Sequence, residues 1–133
     1  MTIKFKNEEH ENRYYEILAR MGSTDSYHSA VAYLLALDTD CYKHIESLYD
    51  FVEHGIRPWG ALNQAWQTGT SVKTTRLIFN LWNTRCYDLD DDNREIKESA
   101  RKYTVDEIFS SNLAFWYFEA VKLRYPHIGT EVE

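Results

Sequence analysis

The 133 residues carry a net charge of −6 with 44% apolar and 27% charged side chains, a balance that excludes disorder and suits one packed core. No run approaches the roughly 20 apolar residues of a membrane helix, and the first residues lack the apolar stretch of a secretory leader, so a cytoplasmic protein that does not enter membranes is expected. Cys41 and Cys86 are too few and too far apart for a disulfide framework or a four-cysteine metal site.

Helical signals run from end to end. Asn7 can cap a first helix in which Tyr14, Ile17, Leu18 and Met21 share a face before Gly22 stops it. A second starts at Ser23 to Asp25, and its run from Ala30 to Leu37 is apolar nearly all round, as in a central buried helix. Asp38 or Thr39 opens a third, with Cys41, Ile45, Leu48 and Val52 on one face and Gly55 as its stop. Pro58 suits the first turn of a short fourth helix holding Leu62, Ala65 and Trp66.

From Ser71 a fifth helix carries Val72, Ile78, Phe79, Leu81 and Trp82. The acidic run Asp88 to Asp92 reads as a loop leading into a polar helix with Ile96, Ala100 and Tyr103 as its thin apolar stripe. Thr104 and Glu107 form a capping box that opens a long helix through Leu123, stopped before Pro126. Only Thr2 to Phe5 suggests a short strand, and residues 126–133 are expected to be a mobile tail. The expectation is an all-α domain spanning 1–133, orthogonal or bundle-like, of six or seven helices.

Charge is distributed unevenly. Residues 54–87 hold four cations and no acid, giving +4 between two stretches of −5. Arg57, Lys73, Arg76 and Arg85 can form a positive island or pair with the flanking carboxylates. The segment 66–76 gathers donors at a helix start: Thr68, Thr70, Ser71, Lys73 and Arg76 can meet an anion there, or Thr70 and Ser71 can simply cap the helix. It lacks the glycine-rich phosphate loop. A helix-turn-helix reading places Ala65 and Gly69 four apart, but a body at −6 repels the phosphate backbone and disfavours direct DNA binding.

Complete reaction centres are absent from the pattern. Asp88, Asp90 and Asp92 imitate the start of a calcium loop, yet Asn93 and Ser99 stand where glycine and a bidentate glutamate are needed. Cys41 with His44, and Asp25 with His28, lie three residues apart on helices without a third group to complete a site. No metal, cofactor or catalytic residue is therefore assigned.

Certain residues carry a resemblance. Trp66-Gln67-Thr68, Thr70-Ser71 and Thr75-Arg76-Leu77-Ile78-Phe79-Asn80-Leu81-Trp82-Asn83, with Asp25, Tyr27-His28, Tyr49-Asp50 and Leu62-Asn63, resemble a family of small bacterial proteins of unknown function carried by phages and conjugative elements. The resemblance implies an accessory factor that binds host machinery, including inhibitors of nuclease-based defence such as CRISPR effectors. The leading expectation is thus a non-catalytic module that contacts a host protein, with Trp59 and Trp66 as aromatic anchors and Asp88, Asp90, Asp91 and Asp92 as charge.

Overall fold

The computed structural model describes residues 2–85, 87–96 and 98–127. Six α-helices occupy these residues: α1 (Glu8–Met21), α2 (Ser26–Leu37), α3 (Thr39–Lys43), α4 (Gly69–Asn83), α5 (Val105–Ile108) and α6 (Ala114–Arg124). Two antiparallel hairpins interrupt them, β1 (Tyr49–Asp50) with β2 (Gly55–Ile56) and β3 (Asp88–Leu89) with β4 (Glu95–Ile96). No helix is long and apolar enough to cross a membrane among the described residues. The expected tail lies mostly outside the described residues, which end at an exposed Pro126 and His127.

Helix α1 begins where Asn7 accepts the His10 amide at 2.8 Å and ends at Gly22, whose φ of 69° suits a residue without a side chain. Helix α2 starts on the Asp25 cap, and every residue from Ser29 to Leu37 is buried. It packs against α1, α4 and α6, which lie around it. Each of its large apolar side chains contributes about 2 kcal/mol by leaving water.

Hydrogen bonds satisfy several polar groups around α2. His10 is buried against α2: its Nδ1 accepts the Lys6 amide at 3.0 Å, so Nε2 carries the proton and donates to the Tyr33 carbonyl at 3.1 Å. At the end of α2, one oxygen of Asp38 accepts the Asp40 and Cys41 amides to cap α3. Its other oxygen accepts the Thr74 hydroxyl at 2.8 Å, and Thr74 meets the Tyr117 hydroxyl at 2.6 Å. One side chain therefore ties α2, α3, α4 and α6 together.

The middle of the chain departs from its apolar periodicity. Helix α3 ends at Lys43, and after a 3-10 turn at Ile45–Ser47 the chain enters the β1–β2 hairpin. Asp50 captures the Val52 and Glu53 amides at 2.8 and 3.0 Å, a local turn that competes with helix. Val52 is 83% exposed and Gly55 pairs with Asp50 in the ladder instead of capping a helix. The expected helix after Pro58 shrinks to a 3-10 turn at Ala61–Asn63, because Pro58 and Gly60 hydrogen-bond across to Leu89.

The polar helix after the acidic run is the β3–β4 hairpin followed by a 3-10 turn at Ala100–Tyr103. Thr104 caps α5 through the Glu107 amide as the sequence motif requires, but the long helix breaks after Ile108. Ser110 and Ser111 bond to nearby backbone there and α6 restarts at Ala114. Residues 2–5 form no strand; Tyr33 donates to the Lys4 carbonyl at 2.6 Å and Phe5 packs on His10, Tyr14 and Tyr33.

Burial, with smaller repulsion from Lys6 and Arg13, lowers the His10 pKa from 6.5 to about 4. The unfolded chain then binds the proton first, so this contribution is complete above pH 6.5 and is lost as pH falls toward 4. Urea unfolding at pH 7 and pH 4 should show wild type losing about 3 kcal/mol more than His10→Gln. Asp38→Ala removes the α3 cap and the Thr74 bond together, with an expected loss of about 3 kcal/mol in the same measurement at pH 7.

Candidate interaction surface

The turn of the β3–β4 hairpin is built by Asp90. Its Oδ1 accepts the Asp92 and Arg94 amides at 2.8 and 3.0 Å, and its own amide donates to the Arg94 carbonyl. Asn93 supplies the left-handed residue at φ 61°, a conformation asparagine tolerates better than most. Leu89 also pairs with Trp59 on the neighbouring segment, with Leu89 N–H to the Pro58 carbonyl at 2.7 Å and Gly60 N–H to the Leu89 carbonyl at 3.0 Å.

That pairing brings Trp59 beside the acidic turn. The indole Nε1 donates to Asn93 Oδ1 at 2.7 Å while the ring stays 50% exposed. Asp91 and Asp92 are exposed, Asp92 sits 3.7 Å from Arg94, and both of those side chains are mostly in solvent. Exposed opposite charges in such geometry contribute little stability. Residues 90–95 hold four acids and one cation, so the turn that Trp59 meets through Asn93 is negative.

Two of the expected contact residues lie elsewhere. Asp88 is fully buried, and its carboxylate accepts the Leu62 and Leu89 amides at 2.9 and 3.0 Å. Burial pushes its carboxyl up from the ordinary range despite these amides. It is a structural acceptor beneath the hairpin and not part of the exposed charge. Trp66 stacks on His44, with ring centroids 4.5 Å apart and an angle of 8°, and its Nε1 donates to Gln64.

The donors of the anion expectation do not converge. Thr68 is the cap of α4: its hydroxyl accepts the Ser71 amide at 3.0 Å and Ser71 Oγ accepts the Thr68 amide at 2.7 Å. The Ser71 amide of the first turn is thereby used within the chain, and Ser71 is fully buried. Thr68 and Thr70 line a polar cleft of about 250 Å³ with Asp38, Asp40 and Lys6, where two acids against one cation disfavour an anion. Lys73 reaches the Ser110 carbonyl and hydroxyl at 3.2 and 2.9 Å.

Arg76 is buried and faces Glu98, with Nη2 to Oε2 at 2.6 Å. Tyr103 donates to the same carboxylate at 2.7 Å. Burial opposes the charge of Glu98, but the Arg76 and Tyr103 hydrogen bonds outweigh it and hold the carboxyl below its usual range. Both cations of α4 are thus engaged within the chain.

Other paired residues are structural as arranged. Asp25 caps α2 through the His28 amide and also meets His28 Nδ1 at 2.8 Å. Cys41 is fully buried, which pushes its thiol well up and suppresses the reactive thiolate. Among the described residues no three His, Cys, Asp or Glu side chains gather as metal ligands.

One feature escaped the sequence reading. The C-terminal half of α4, α5 and α6 enclose an apolar cleft of about 340 Å³ lined by Leu77, Leu81, Phe109 and Phe118 among others. A signal existed: Phe115, Trp116, Tyr117 and Phe118 are consecutive on a helix, whose turn of 100° per residue cannot bury all four. Phe115 and Phe118 are 59% and 53% exposed.

Fold and surface together define a small, mostly helical domain with an exposed indole bonded to an acidic turn. The chain belongs to the DUF6075 family, a family of unknown function whose profile matches residues 1–133. Neither curated proteins nor solved structures contain a significant match.

Arg76 supplies a direct test of its pairing with Glu98. Arg76→Met leaves the half-buried Glu98 with only Lys102, at 4.0 Å, as a countercharge among the described residues, and a loss of about 2 kcal/mol in urea unfolding is expected. The double variant with Glu98→Leu should recover part of that loss.

Proposed function

We propose that this protein is a non-catalytic interaction module that engages a basic protein surface through Trp59 and the turn Asp90, Asp91 and Asp92. The observation that carries the reading is the joining of an exposed indole to a negative turn through the 2.7 Å bond to Asn93. Among the described residues no cation lies over that ring. A lysine or arginine of a partner would gain from both the ring face and the carboxylates. The indole is a rigid anchor that loses little entropy on binding, and the acidic rim speeds encounter.

The resemblance to proteins of phages and conjugative elements supports a host target. A nucleic-acid-handling effector in the cytoplasm, such as a CRISPR nuclease, carries the basic groove that an acidic competitor would occupy. Inhibition of such an effector is the function this reading favours.

The first probe is a fluorescein-labelled peptide of twelve residues alternating lysine and arginine with glycine, followed by fluorescence anisotropy at several salt concentrations. Trp59→Ala should weaken binding by about tenfold. Asp91→Asn with Asp92→Asn should weaken it comparably and flatten its salt dependence. Unchanged affinity in both variants, with thermal midpoints retained, rejects the reading.

A further inference from the structure

We infer that the cleft between α4, α5 and α6 is a binding site for a small, uncharged aromatic molecule that carries one N–H or O–H donor. The cleft is separate from the Trp59 surface in its lining residues and stands without the function proposed above. Its volume of about 340 Å³ lies in the range of small-molecule sites, at the lower end.

The lining specifies the class of ligand. Leu77, Leu81, Ile108 and Val121 supply aliphatic walls, and Phe109 and Phe118 supply ring walls. Those two rings lie 4.6 Å apart at 42°, so an aromatic guest can meet both faces and edges. No Asp, Glu, Lys, Arg or His lines the cleft. An ionised ligand would lose its hydration there without gaining a countercharge, which makes charge unfavourable.

Asn80 supplies the polar preference. Its side-chain amide donates to the Arg85 carbonyl at 2.8 Å, which identifies the nitrogen because only that end can donate. Its Oδ1 accepts no hydrogen bond from any described residue while the side chain lines the cleft. A guest that covers this oxygen must offer it a donor or leave it unsatisfied. Val105, Phe118 and Tyr125 remain 68%, 53% and 39% exposed at the rim, leaving the entrance open.

Indole, N-methylindole and indole-3-carboxylate serve as probes, titrated into the full chain and followed by amide chemical shifts in ¹H–¹⁵N spectra. Indole should bind once, with shifts centred on residues 77–84, 103–109 and 118–125. N-methylindole should bind about fivefold more weakly, and the carboxylate at least about tenfold more weakly. Phe118→Lys should abolish indole binding; Val105→Lys, at the most exposed rim position, provides a second variant should the first misfold.

Equal binding of the carboxylate, or indole affinity unchanged in a folded rim variant, overturns the assignment. So does an absence of saturable shifts. Concentration-dependent dimerisation that Phe118→Lys removes, without indole binding by wild type, would also overturn it and make the cleft a contact between copies.

Discussion

Helix α2 has no polar face, and the remaining structure follows from that constraint. A helix buried over its full circumference needs cover on every side. Helices α1, α4 and α6 provide it. Its polar groups are met by hydrogen bonds at defined points, among them His10 on the Tyr33 carbonyl, Tyr33 on the Lys4 carbonyl, Ser29 on the Thr24 carbonyl, and Asp38 at its end. The cover helices are thereby committed to the core on one side.

The positive middle of the chain illustrates the same economy. Arg76 pairs with Glu98, Arg57 approaches Asp50 at 4.0 Å, and Lys73 holds the Ser110 turn. Arg85 lies over Tyr87 with two buried guanidinium nitrogens that lack a hydrogen bond. Three cations thus tie segments together, and the hairpin acids Asp91 and Asp92 stay in solvent. Net charge along the sequence was a sound guide to asymmetry and a poor guide to which charges are free.

Local signals located α1, α2 and the body of α4, because their caps and apolar faces agree with one another. They failed where two local preferences compete. Cys41, Ile45 and Leu48 are buried as a helical stripe would be, yet Asp50 diverts the backbone into a hairpin. Thr104 caps a helix correctly, yet serines 110 and 111 end it within one turn. Trp59 and the acidic turn were each visible as candidates, but their union depends on pairing between segments 30 residues apart.

Composition, caps and apolar periodicity were therefore sufficient to determine a helical domain around the segment from Ala30 to Leu37, since burial and backbone capping act over a few residues. Tertiary structure alone decided which carboxylates face water, which cations are neutralised and where the cleft opens. Those properties depend on electrostatic and packing partners distant in sequence, and no local pattern encodes the distances between them.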